Sequence, residues 1–304
     1  TAAIRPVTIA ATKKPYWESV SPATPAAPIH ASLSVVVPHR YEGGLLYATV
    51  DSVLSDEDEL ELSVVSQATG EPSADLVLDA LDELAREEPD RIKLKRRSGY
   101  FSVGDLLLEG LEYASGDLVA IVPPGFEVLP GFLKMSVYAL TRQPDHDAVL
   151  PLIRVVSEHD AFRTAEHWLP LGASIHYGLF VNRMTAGCVV ARRSLFEDFP
   201  PNEALTAEWL WDVMLRAAFA GRRFLIADEP SAQAIGRVLF DQYSHSETQR
   251  RATFESVRRG LAIEGSSARV GLSFLGDGEF IVVIGPIGGA GLADAVHFHH
   301  PGET

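Results

Sequence analysis

Apolar and polar positions along this chain follow two rhythms, and the first clear one begins at SLSVVVP, residues 32–38. This β-branched run, stopped by Pro38, predicts a buried strand. Leu45, Leu46, Val50, Val53 and Leu54 follow at helical spacing, the stripe of an amphipathic helix. Beyond the acidic turn SDEDE, LELSVV (60–65) predicts a second strand, Leu76 to Leu84 a second helix, and Ile92-Lys93-Leu94 a short third strand. Leu106 to Ala114 predicts a helix stopped near Gly116, and LVAIV (118–122) a fourth buried strand. Strands alternating with helices in this way imply right-handed βαβ units and a mainly parallel sheet.

The second half is less regular. MTAGCVVARRSLF (184–196) predicts a strand leading into a short helix, Ala207 to Ala220 a helix ended by Gly221, and Arg223 to Ile226 a strand. Glu247 to Ala262 has the pattern of a polar amphipathic helix. IVVIGPIGGAGLADAV (281–296) resembles the strand–glycine loop–helix opening of a nucleotide-binding unit. Too little chain follows to complete such a unit, so the segment either caps the domain or begins another. His297, His299 and His300 read as solvated residues of an unstructured end. Residues 1–31, rich in Ala, Pro and Thr, read as an extended arm or linker. The expected division is therefore an arm over 1–31, an α/β domain over 32–262 and an extension over 263–304.

Composition narrows the function classes. The 304 residues are 46% hydrophobic and 22% charged, enough chain to bury a core without staples. Forty-one acidic against 26 basic residues give a net charge of −15, which argues against nucleic-acid binding. The single cysteine, Cys188, lies in the apolar stretch AGCVV. It forms no disulfide framework or cysteine metal site within the chain and reads as a buried thiol. No apolar run approaches the ~18 residues of a membrane helix. The opening TAAIRPVTIAATKKPYW lacks an initiator Met and an apolar h-region, so no signal peptide is expected. An excised, soluble, cytoplasmic domain is the expectation.

Several segments share wording, in order, with a known family: SVVVPHRYEGG, a helix containing VDSVLS, LEYASGD (111–117), LPGFL (129–133), GCVVARRSLFEDF and MLRAAFAGRRF. Across 32–262 the chain resembles family-2 glycosyltransferases. The resemblance implies a GT-A fold, a three-layer α/β/α domain with a mainly parallel central sheet. It also implies work in polysaccharide or glycoconjugate assembly, on a glycan or glycoconjugate acceptor, beside another protein or domain of the pathway or a second copy of the chain.

The family's chemical positions are altered here. Its DxD acids hold Mg²⁺ or Mn²⁺ through hard oxygen ligands, and the cation offsets charge on the leaving diphosphate. By the resemblance those positions are Pro123, Pro124 and Gly125. Glu127, two residues on, is the acid nearest to a ligand position. Ser66 and Gln67 replace the paired aspartates that grip base and ribose; both retain hydrogen-bonding groups. Leu107-Leu108 replaces an Arg-Asn segment, and Trp209-Leu210 falls on the acid pair that supplies the general base.

The resemblance leaves Glu208 and Asp212 as candidate catalytic acids, and His39, Arg40, Glu42, Ser66, Gln67 and His245 as candidate donor contacts. Arg91, Lys93, Lys95, Arg96 and Arg97 read either as a phosphate-neutralising cluster or as edge-strand charges. Trp168, Trp209 and Trp211 read as core aromatics, with stacking on sugar rings as the alternative. No metal site and no cofactor are expected. The implied function is a scaffold or partner-binding pseudo-glycosyltransferase. The alternative is a metal-independent enzyme using a UDP- or GDP-linked sugar, with Mg²⁺ or Mn²⁺ lacking its usual ligands.

Overall fold

The computed structural model describes residues 17–20, 31–40, 44–56, 59–67, 70, 72–156, 166–168, 170, 185, 187–202, 209–235, 268–276, 279–286 and 294–299. The chain divides into two compact units, Pro15–Leu261 and a second made of Thr1–Lys14 with Ala262–Thr304.

The larger unit starts with β1 (Trp17–Val20), followed by β2 (Leu33–His39), α1 (Leu45–Asp56), β3 (Leu60–Gln67), α2 (Pro72–Glu87), β4 (Ile92–Arg97), α3 (Val103–Tyr113) and β5 (Leu118–Ile121). From β2 to β5 these are the elements that the apolar periodicity predicts. β2 lies parallel between β3 and β5, and β4 runs parallel to β3. Residues alternate between two covered faces. Val35, Val37, Leu62, Val64 and Ala120 join Leu46, Val50 and Val53 of α1 and Leu78 and Leu81 of α2 in one core. On the other face α3 approaches closely at Gly110, where a Cβ would stand 2.4 Å from Val36 Cγ1. With helices on both faces this is a three-layer α/β/α domain.

The second half supplies β6 (Phe126–Val128), α4 (Phe132–Arg142), β7 (Ala148–Val156), β8 (Glu166–Trp168), β9 (Val189–Arg192), α5 (Arg193–Asp198), α6 (Trp209–Phe219) and β10 (Phe224–Ile235). The sheet order is β1-β10-β7-β9-β5-β2-β3-β4, with β6 beside β10 and β8 beside β7. β9 runs antiparallel between β5 and β7, so the sheet is mixed rather than wholly parallel. α4 is capped from a distance: Asp56, the last residue of α1, accepts hydrogen bonds from Gly131 N–H and from Leu133 N–H at 2.8 Å. A carboxylate here satisfies N–H groups that the helix itself leaves open.

Three sequence expectations change. Pro38 does not end the first strand, because β2 continues to His39 and Pro38 registers with Val65. The pairing of β2 with β5 ends at Val36, so the missing N–H falls where one side of the strand no longer needs a donor. Trp17–Val20, assigned to the arm, forms an edge strand parallel to β10. The tail is not a strand–loop–helix unit. β11 (Ala268–Gly276), β12 (Glu279–Pro286) and β13 (Asp294–His299) form an antiparallel meander. In AVHFH, Val296 and Phe298 alternate with Ala295, His297 and His299, and this period of two outweighs the glycine-loop signal. His297 and His299 therefore stand in a strand rather than a loose end. His300 and the predicted helix 247–262 lie outside the described residues.

Cys188 is buried and free. Burial alone pushes its thiol up from 9.0 to about 12, an about thousandfold smaller thiolate fraction at neutral pH. Labelling of the native protein with a disulfide-exchange reagent should therefore be slower than that of the urea-unfolded chain by about a hundredfold or more. Equal rates would contradict this burial.

Candidate functional site

In open α/β sheets ligands bind beyond the carboxyl ends of the strands, where the connections change direction. Here β2, β3 and β5 end on His39, Gln67 and the turn Val122–Gly125.

His39 and Ser66 are register partners and both are buried. His39 Nδ1 lies 2.8 Å from Ser66 Oγ, and that hydroxyl also donates to Gln67 O at 3.4 Å. Gln67, likewise buried, accepts from Phe101 N–H at 3.0 Å through Oε1, which ties the loop before α3 to the sheet. The Arg40 guanidinium sits 5.9 Å from the Tyr100 ring centroid, and Tyr100 is 71% exposed. The structure thus brings His39, Arg40, Ser66 and Gln67 to one end of the sheet, with the polar atoms of Ser66 and Gln67 engaged in holding the chain together. Glu42, Glu208 and His245 lie outside the described residues.

The turn in the DxD position is buried along Pro123, Pro124 and Gly125. Phe126 N–H closes it onto Pro123 O at 3.1 Å, and Gly125 has φ +93°, a left-handed conformation that favours glycine. α1 grips the turn from below. Thr49 Oγ1 accepts from Gly125 N–H at 3.1 Å and donates to Phe126 O at 2.7 Å, while Ser52 Oγ accepts from Val128 N–H at 3.1 Å. No side-chain oxygen of the turn itself is available to a cation, so these residues do not fit a bound Mg²⁺ or Mn²⁺. Among the described residues no three His, Cys, Asp or Glu side chains form a group able to hold a metal ion. Thr49 and Ser52 carried no signal in the sequence, since a hydroxyl on a helix face is ordinarily solvated.

Glu127 has a different neighbour from a metal. It stands on β6 opposite Gln233 of β10, and its Oε2 accepts from Gln233 Nε2 at 2.7 Å. Asp212 is fully buried in α6, where Arg216 one turn later contacts it through Nε at 2.9 Å and Nη2 at 2.8 Å. Arg216 Nη2 also donates to Pro200 O at 2.6 Å. Asp212 is therefore half of a buried ion pair. Of the apolar replacements, Leu107, Trp209 and Leu210 are buried and Leu108 is half-buried, so three of the four fill the interior; Trp211 beside them is buried as well.

The basic cluster is likewise engaged internally. Arg91 pairs with Glu88, Lys93 with Glu61, Arg96 with Asp79 and Asp82, and Arg97 with Glu109. Lys95 is exposed. α2 and α3 supply acids at the heights of these basic residues, which makes the cluster an edge-strand device more than a phosphate site.

Among the described helices none is long and apolar enough to cross a membrane. The family model for glycosyl transferase family 2 matches residues 34–199. No curated protein matches the sequence. Among solved structures, glucosyl-3-phosphoglycerate synthase from Mycobacterium tuberculosis with phosphoglyceric acid is 16% identical, with a TM-score of 0.51 over 86% of this chain and 92% of that one. The same enzyme with Mg²⁺ and uridine-diphosphate gives 16%, 0.50, 88% and 95%. Staphylococcus aureus TarS 1-349 is 15% identical, with a TM-score of 0.47 over 77% of this chain and 72% of that one. A longer TarS chain is spanned over 44% of its length. The two synthase likenesses bear on the fold, and the family match runs from β2 through the end of α5, more than half of the chain. This chain belongs to glycosyl transferase family 2 and has its GT-A fold.

Proposed function

We propose that this chain is a family-2 glycosyltransferase domain of polysaccharide or glycoconjugate assembly whose metal-dependent sugar-nucleotide chemistry is impaired or lost. In this reading it works as a scaffold or partner-binding module beside a glycan acceptor. The observation that carries the reading is the buried Pro123-Pro124-Gly125 turn, held by Thr49 where an active relative would present acids. The burial of Ser66 and Gln67, together with the Asp212–Arg216 pair, supports it further. A domain that keeps its core while its polar positions turn apolar or inward is kept for its surface.

Calorimetric titration with Mn²⁺ and a panel of UDP- and GDP-sugars is the test. Each missing charge-assisted hydrogen bond removes about 1.5–3 kcal/mol, so the loss of two or more moves micromolar donor binding to about millimolar or weaker. The expected outcome is no stoichiometric Mn²⁺ site and no saturable donor binding in the micromolar range. A tight Mn²⁺ site that disappears in Glu127→Ala would make Glu127 a ligand. Tight donor binding without metal would instead favour metal-independent transfer from a UDP- or GDP-linked sugar.

A further inference from the structure

Two register lines cross β11, β12 and β13 without meeting a polar residue. Leu272 pairs with Val282 and Val282 with Val296, while Phe274 pairs with Phe280 and Phe280 with Phe298. Register partners, and residues two apart along a strand, share a face, so these six fall on one face of the meander. The line between them, Ser273–Ile281–His297, falls on the other face and is mixed. A phenylalanine buries about 150–250 Å² once packed, so with Leu272, Val282 and Val296 the apolar face calls for cover on the order of 600 Å². Monomers in water rarely leave an apolar patch of more than a few hundred Å² open. A three-stranded sheet also draws its stability from packing such a face.

Three features single out Thr1–Lys14 as the cover. It belongs to the same compact unit as Ala262–Thr304, although the whole larger unit lies between the two in sequence. Its charge is complementary: it carries Arg5, Lys13 and Lys14 and no acid, whereas 262–304 carries Glu264, Asp277, Glu279, Asp294 and Glu303 against Arg269 alone. Its pattern fits as well. Val7-Thr8-Ile9 is a β-branched run that begins after Pro6, and Val7, Ile9 and Ala11 alternate with Thr8, Ala10 and Thr12, the period of an extended chain with one apolar side. Fully extended, residues 7–11 span about 17 Å, enough to cross three strands set about 4.8 Å apart. A second copy of the meander would offer an equally apolar face, but with the same excess of acid, so the two would repel.

We propose that Thr1–Lys14 docks on the face of Leu272 and Phe280, with Val7 and Ile9 as its anchors, so that the two ends of the chain close one small β unit. The proposal goes beyond the scaffold reading of the family-2 domain and stands whether or not that domain binds a sugar nucleotide.

Hydrogen–deuterium exchange of the full chain, read at the amides of β12, tests this. The parent is expected to protect β12, and Ile9→Asp to speed its exchange about tenfold or more, because a carboxylate set against an apolar face is costly. Thr8→Asp, of the other parity, and Ile9→Leu should each stay within about twofold of the parent. The amides of β2 and β3 are the internal reference and should respond to none of the three. Should Ile9→Asp fail to fold, seen as lost protection in β2 and β3, Ile9→Ser makes the same comparison. Parent β12 amides that exchange as freely as in urea overturn the proposal. So does Ile9→Asp exchanging at the parent rate, or Thr8→Asp exchanging as fast as Ile9→Asp. Protection that falls on dilution, while light scattering records a dimer separating, would assign the face to a second copy and overturn it as well.

Discussion

Glu61→Ala is expected to destabilise this domain by about 3 kcal/mol, the cost of removing a largely buried carboxylate from its hydrogen bonds and its ion pair. The side chain is 10% exposed and takes four contacts at the amino-terminal end of the sheet. Ser34 Oγ donates to Oε2 at 2.6 Å, Ser115 N–H and Ser115 Oγ each donate at 2.8 Å, and Lys93 Nζ bonds Oε1. Lys93 also donates to Tyr113 O at 2.8 Å. One carboxylate thus fastens β2, β3, β4 and the end of α3. Removing it leaves Lys93 with the Tyr113 carbonyl alone and takes the acceptor from the buried Ser34 hydroxyl. Urea unfolding of the two proteins near neutral pH measures the difference. A loss below about 1 kcal/mol, the value of an ordinary surface pair, would show that the network is solvated.

The same residue sets a pH dependence. Burial acts to raise the Glu61 carboxyl, but the bonds from Lys93, Ser34 and Ser115 outweigh it, and the group lies below its ordinary value of 4.5. A depressed folded pKa means that the unfolded chain binds the proton first as pH falls. The contribution is therefore complete well above 4.5 and disappears as pH falls through the folded pKa. Glu61→Gln should be less stable than the parent at neutral pH, and the gap should narrow in acid. A gap independent of pH would assign the effect to packing alone.

How much could be read beforehand depends on the range of the interaction concerned. β2, β3 and β5 were legible because each is an unbroken apolar run, and α1 and α2 because their stripes repeat within one window. β7 was not, because AVLPLIRVV carries Pro151 and Arg154 inside its apolar stretch. β6, three residues long, was below any periodic signal. The candidate residues His39, Ser66 and Gln67 were legible as neighbours through the family wording, but their burial is a property of the packed sheet. The Glu127–Gln233 bond joins residues 106 apart in sequence, and no local pattern carries such a pairing. The partners of the basic cluster were equally hidden: Glu61, Asp79, Asp82 and Glu109 sit on three other elements. Turns, hydroxyl clamps and register lines are set by tertiary contact, and no single stretch of sequence carries them.

Gly116→Ala is expected to be the more disruptive of two glycine replacements, although its backbone needs no left-handed conformation. A Cβ at Gly116 would stand 2.7 Å from Ser34 N, 2.8 Å from Ser32 O and 2.9 Å from Ser34 Oγ. Two of those three atoms are backbone, one in β2 and one in the residue just before Leu33, and backbone cannot rotate away as a side chain can. The glycine is also held in place, its N–H donating to Ser34 Oγ at 2.8 Å and its carbonyl accepting from Arg193 Nε at 2.9 Å. Beside it Asp117 Oδ2 accepts from Ser32 Oγ at 3.1 Å, and Leu118 N–H donates to Ser32 O at 3.0 Å. A methyl group would force β2 away from the start of β5 and break this set together, at a cost of about 3 kcal/mol or more. Gly44→Ala is the control, since nothing lies within 4 Å of a Cβ there, and its effect should stay within about 0.5 kcal/mol. Thermal melting of both variants makes the comparison. If Gly116→Ala melted beside Gly44→Ala, the close approach would be false. The predicted separation means that the shared wording ASGD is kept for the joining of two strands.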